Sequence, residues 1–112
     1  MSQPPDTSAL LFEPGNLVAT PLALKVLQAH GVKPLALLSR HLFGDWGQVC
    51  KDDAARNDQA VHDGSRILSS YEIAQGVTVW VITDAQTDMD LGGLPQPQPK
   101  RLCTTLLLPS EY

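Results

Sequence analysis

The chain has 112 residues with 12 acidic and 8 basic side chains, and its net charge of −4 argues against nucleic acid as a partner, because binding phosphates calls for clustered lysine and arginine. Apolar residues at 43% and charged residues at 18% exclude disorder and a membrane class. The longest apolar runs, "VTVWVI" and "TLLL", fall far short of the roughly 20 residues of a membrane helix.

This length suits a single domain over residues 1–112. Residues 1–8, "MSQPPDTS", are expected to be a flexible lead. They carry no positive or apolar signal region, so a cytoplasmic address is expected. Next, "ALLF" and "NLVA" flank "EPG". Proline fixes one dihedral and glycine permits the positive one, which predicts a short strand or hairpin from Ala9 to Ala19. "TPLALKVLQAHG" predicts a helix over Pro21–His30, with Thr20 as cap, Pro21 in the first turn and Gly31 as the stop. "VKPLALLSRHLFG" repeats that grammar and predicts a second helix over Pro34–Phe43, with Leu35, Leu38 and Leu42 on one face.

"KDDAARNDQAVHDG" predicts a third helix, capped by Asp52 or Asp53 and ended by Gly64. Ala55, Ala60 and Val61 are its inward candidates. "RILSSYEIAQGVTVWVITD" reads as a hairpin turning at Gln75–Gly76. Residues 85–101, with two glycines, three prolines and no periodicity, read as a long mobile loop within the sheet. "LCTTLLLP" returns to strand composition. The expected fold is α+β: three helices packed on a three-stranded antiparallel meander from Arg66 to Leu108, with an N-terminal strand or hairpin beside it.

No catalytic, cofactor or metal motif stands out. His41, Asp45, Cys50, Asp53 and His62 lack the paired spacing of a zinc site, and neither glycine-rich phosphate loop is present. No cofactor or metal is therefore expected. Cys50 is expected beneath Trp46, with both Cys50 and Cys103 unpaired. The segment Pro34–Phe43 offers Ser39, Arg40 and His41 as a DNA reader, but leucines dominate it. A toxin-type ribonuclease would draw on His41, His62, Arg66 and Thr105.

The stretch "GDWGQVCKDDAARND" supports two readings. In one, Asp45, Trp46, Asp53, Arg56 and Asn57 form a partner-binding surface. In the other, Trp46 fills the core edge and Asp45 accepts backbone amides in a turn, leaving the solvated face of the third helix as the open question.

The order "LVATPLAL", "LLSRHLFGDWG", "DDAARNDQA", "DGSRILSSY", "VWVITDA" and "TTLLLPSEY" resembles a family of small bacterial plasmid-related, mobile-element hypothetical proteins. The likeness spans Phe12 to Tyr112, and "GDWG" and "LLLPSEY" are its most specific pieces. Against that family, residues 85–101 look like an insertion. The resemblance implies an association with mobile elements. Some members carry restriction-system labels, yet a methyltransferase subunit needs a cofactor site and a catalytic motif, and this chain displays neither. The expected role is a non-enzymatic accessory protein that binds another protein, such as a component of host defence. The alternative is a small ribonuclease or nucleic-acid-binding protein. A homodimer through an unpaired sheet edge is a further expectation.

Overall fold

The computed structural model describes residues 10–112. The lead expected over residues 1–8, and Ala9 with it, lies outside the described residues. The element order is β1 (Asn16–Ala19), α1 (Pro21–Ala29), α2 (Pro34–Leu42), α3 (Lys51–Asp63), β2 (Ile67–Ala74), β3 (Val77–Thr83), β4 (Gln86–Met89), β5 (Pro95–Arg101) and β6 (Cys103–Leu107), followed by a short 3-10 turn over Pro109–Glu111. The fold is α+β. No helix among the described residues is long and apolar enough to cross a membrane.

Helix starts and stops follow local chemistry. Thr20 Oγ1 accepts the Ala23 amide at 3.1 Å and Pro21 occupies the first turn, where a missing N–H costs nothing. Pro34 opens α2 in the same way, and Gly64 ends α3 at φ 83°. The start of α3 differs from expectation. Its cap residue is Cys50, whose side chain makes no capping bond, while Asp52 and Asp53 lie in the first turn. There they act through the helix dipole. Cys50 is exposed at that cap and so does not lie beneath Trp46; both thiols are free.

The main sheet has the order β1-β6-β3-β2. β2, β3 and β6 form the expected antiparallel meander. β1 then joins β6 in parallel, from Asn16 opposite Cys103 to Ala19 opposite Leu106, so the sheet is mixed rather than wholly antiparallel. No hairpin forms at Pro14–Gly15. Gly15, at φ 68°, instead brings the backbone so close to the Arg101 and Leu102 carbonyls that a Cβ would collide with them, and the chain enters the sheet beside β6.

The helices all pack on one face. Leu27 of α1 and Leu37 and Leu38 of α2 meet Tyr71, Val79, Val81 and Leu106 of the sheet, while Phe12, Trp46, Ala60 and Ile67 form a second cluster under α3. Two inward faces differ from expectation. Of the expected face of α2, Leu38 is buried and Leu42 packs half-buried on the second cluster, but Leu35 is 67% exposed, and Leu37 and His41 take the other inward places. The run "LALL" offers two overlapping apolar stripes, and the sheet takes the one whose histidine finds hydroxyl partners. On α3, Ala55 is exposed and Asn57 takes the inward place beside Ala60.

The segment expected as a long loop is a two-stranded antiparallel ribbon, with Gln86 opposite Arg101, Thr87 opposite Lys100 and Met89 opposite Pro95. It prolongs the β3–β6 pair. Asp90 Oδ1 builds the turn by accepting the Gly92 amide at 2.9 Å and the Leu94 amide at 2.8 Å. Pro95, Pro97 and Pro99 have no N–H to give, and Gln96 Nε2 supplies donors to the Thr87 and Met89 carbonyls at 3.1 and 2.8 Å. Prolines at alternate positions of an outer strand are compatible with extended backbone, which composition alone does not reveal.

Candidate functional site

The loop after α2 holds the fold together. Gly44 leaves the helix at φ 89°. Asp45 then accepts the Gly47 amide at 3.1 Å through Oδ1 and the Arg40 Nε–H at 2.6 Å through Oδ2. The Arg40 hydrogen bond, aided by the Gly47 amide, holds the Asp45 carboxyl below its usual range. Arg40 in turn lies over the Tyr71 ring at 4.5 Å, and the Tyr71 hydroxyl donates to the Asp45 carbonyl at 2.6 Å. Burial pushes that phenol up to about 12.

Trp46 is only 6% exposed. It packs against Phe12 and His41, and its indole N–H donates to Asp58 Oδ1 at 3.0 Å. The backbone beside it closes the outer edge of β2. Ser70 N–H donates to the Trp46 carbonyl at 3.1 Å, Gln48 N–H donates to the Ser70 carbonyl at 2.6 Å, and Gln48 Oε1 accepts the Glu72 amide at 2.7 Å. Asn57 continues this row from α3. Its Nδ2 donates to the Leu68 carbonyl at 2.7 Å and its Oδ1 accepts the Leu68 amide at 3.2 Å. Three of the five expected partner-binding residues, Asp45, Trp46 and Asn57, are therefore engaged within the fold.

His41 is fully buried, with Nδ1 2.6 Å from Ser69 Oγ and Nε2 2.8 Å from Thr83 Oγ1. The chain of hydroxyls fixes its tautomer. Thr104 donates its one hydrogen to the Pro14 carbonyl at 2.8 Å, so the 2.7 Å contact between Thr83 and Thr104 must be donated by Thr83. Thr83 then accepts from His41 Nε2–H, which leaves Nδ1 to accept from Ser69. Burial, with the Arg101 charge adding to it, pushes the imidazole down to about 3. A neutral, sealed imidazole cannot serve as a general base for an external substrate.

The exposed groups gather elsewhere. Asp53 and Arg56 pair at 3.6 Å on α3. With Asn57, Arg66 and Leu68 they line a cavity of about 200 Å³ between α3 and β2, and Arg56 and Arg66 also line an adjoining depression of about 380 Å³ with Gln59, Asp63 and Ser65. Arg66 donates to the Tyr112 hydroxyl and lies 5.5 Å from the ring. Tyr112 meets Trp80 edge-on, with ring centroids 5.6 Å apart.

Trp80 belongs to the sheet face turned away from the helices. Strand alternation puts Val79 and Val81 inward and Trp80 outward, in register with Ser70 and Leu107. The three α-helices pack on the other face, while here the C-terminal segment brings Tyr112 onto Trp80, and Ile82 and Leu107 are only 8% and 9% exposed. Neither Trp80 nor Tyr112 is among the residues that sequence reasoning picked for the site. The phase of "VTVWVIT" carries the signal for Trp80, and the string "LLLPSEY" carries Tyr112.

The ribonuclease candidates are not brought together. His41 is sealed, Arg66 stacks on Tyr112 at the groove, and His62 sits on the exposed side of α3, away from Asn57 and Ala60. Thr105 is on the open sheet face. No group of three or more His, Cys, Asp or Glu side chains that could hold a metal occurs among the described residues. No family model, curated protein or solved structure matches the chain.

Proposed function

We propose that this protein is a non-enzymatic binding module that engages another protein through its open sheet face and the adjoining groove, with Arg56, Arg66, Trp80 and Tyr112 as the contact residues. One observation carries the reading. Two aromatic rings meet edge to face and a guanidinium lies over the second, on a sheet face that none of the three α-helices covers, and tryptophan, tyrosine and arginine dominate the energetics of protein interfaces. The partner suited to this surface offers an apolar ridge to Trp80 and Tyr112 and a carboxylate to Arg66. The likeness of "GDWG" and "LLLPSEY" to mobile-element proteins supports a cytoplasmic accessory role, with a host defence component as the partner.

The test is purification of the tagged protein from its own host after nuclease treatment, with intact complexes weighed. Wild type and an Arg66→Glu/Trp80→Ala variant are compared once circular dichroism shows that both are folded. A stoichiometric protein complex lost in the variant supports the proposal. A complex that persists in the variant places the contact on another surface. Co-purified RNA or DNA without protein, or RNA cleavage abolished by His62→Ala, favours the nuclease reading instead.

A further inference from the structure

The main sheet has two edges, and they are treated differently. The outer edge of β2 is occupied by Trp46, Gln48 and Asn57. The outer edge of β1 has no such cover among the described residues. In the parallel ladder, Asn16, Val18 and Thr20 turn their backbone groups toward β6, as the Asn16 amide on the Leu102 carbonyl at 2.8 Å and the Thr20 amide on the Leu106 carbonyl at 3.0 Å show. Leu17 and Ala19 therefore turn theirs outward, and neither has a hydrogen-bond partner there among the described residues.

Sheet edges are usually protected by charge, proline or a bulge. β1 has none of these within "NLVA", and Leu17 and Val18 are 47% and 44% exposed. Pro14 to Leu24 holds no charged residue of its own; Glu111 sits on the Thr20 hydroxyl and Asp90 and Lys100 share a cavity with Asn16, so it is at Leu17 to Ala19 that two copies can meet without opposing like charges. The same stretch also exposes Leu22 and Leu24.

We propose that β1 pairs antiparallel with β1 of a second copy of this chain, across a two-fold axis at Val18, joining two four-stranded sheets into one of eight. In this register Leu17 of each copy faces Ala19 of the other. Each such pair exchanges two N–H···O=C bonds, and Val18 meets its counterpart as a close, non-hydrogen-bonded pair on the open face. The symmetry is self-complementary, as a two-fold interface requires. A second copy fits better than a flexible peptide because Pro21 turns the chain into α1 and leaves a short edge. Its few bonds would have to offset the ordering of a loose strand, whereas a second β1 is already ordered. The axis is normal to the sheet, so both Trp80 and Tyr112 surfaces lie on the same side of the dimer.

The proposal is tested by native mass and light scattering on wild type, Ala19→Pro and Val18→Lys, and by oxidation of Val18→Cys in a Cys50→Ser/Cys103→Ser background. Ala19→Pro removes an outward N–H without removing a bond to β6. The expected results are twice the chain mass for wild type, a single chain mass for each folded variant, and near-complete disulfide-linked dimer for Val18→Cys, with no such product from Gln75→Cys in the same background. Wild type that stays monomeric up to its solubility limit overturns the proposal. So does a dimer that survives Val18→Lys, or a Val18→Cys protein that links no better than Gln75→Cys. The lysine and cysteine variants keep the test decisive if Ala19→Pro does not fold.

Discussion

His41 Nε2 and Thr83 Oγ1 lie 2.8 Å apart where neither residue reaches solvent, and together they tie α2 to β3. The same imidazole reaches β2 through Ser69, and Thr83 reaches β6 through Thr104. A helix and three strands are thereby fixed by one row of hydrogen bonds inside an otherwise apolar layer. Such a row is stabilising only while every member is satisfied.

Acid should weaken the fold through His41. Unfolded, the imidazole titrates near 6.5; folded, it stays neutral down to about 3. Between those values the unfolded chain holds a proton that the folded chain does not, so stability falls as pH drops through 6.5 and that loss is complete near 3. Urea midpoints across this range should show a dependence of up to one proton. His41→Asn should cost about 1–3 kcal/mol at neutral pH and flatten the limb between pH 6.5 and 4. An unchanged limb would assign the proton to another group.

Gly47 has φ 74°, and a Cβ there would collide with the Ser70 carbonyl. Gly47→Ala should therefore detach the loop from β2 at a cost of at least about 2 kcal/mol. Hydrogen exchange at Ser70 and Glu72 should accelerate more than exchange at Val79 or Val81, because the loop supplies the acceptors for those edge amides. Equal acceleration throughout would mean that the loop is not a separate closure.

Arg101 is buried, and its guanidinium donates to the carbonyls of Ala60 at 2.8 Å, Ser65 at 2.6 Å and Asp84 at 3.0 Å. Arg101→Lys keeps the charge but cannot span three acceptors. A loss of about 2–3 kcal/mol is expected, read from denaturant midpoints. A loss under about half that would show that water replaces the fork.

Replacing residues 86–100 with a two-residue turn should preserve a cooperative melt. Gln86 and Arg101 are already paired across the ribbon, so the cut ends lie close together, and Arg101 with its three acceptors is retained. A broad, non-cooperative melt would show that the ribbon supports the sheet.

Most of the helical boundaries were legible because their signals are local: Thr20 and Pro21, Gly31, Pro34 and Gly64 each act within one turn. The meander was legible from the alternation in "VTVWVIT". What escaped is nonlocal. Nothing near Asn16 announces that its partner is Cys103, and nothing on α2 says that Ser69 and Thr83 will favour the stripe containing His41. The ribbon escaped because three prolines resemble a loop until Gln96 is seen supplying the missing donors. At the site, Asp53, Arg56 and Arg66 could be named as exposed charges, but their shared groove depends on how α3 lies along β2. For Asp45 and Trp46 residue type offered the turn and core roles as one of two open readings, whereas the burial of Asn57 required knowing which strand it faces.

The adjacency of β1 and β6 also sets a timetable. β1 is made first and β6 last, and a ribosome adds only about 5–20 residues each second. Until Cys103–Leu107 emerge, β1 is unpaired on both sides, the core lacks Leu106, and Thr104 is not there to receive the hydroxyl of Thr83. The helices and the β2–β3 hairpin can form early, but β1 joins the sheet only once β6 has been made. The newborn chain therefore spends its synthesis with its least protected strand showing.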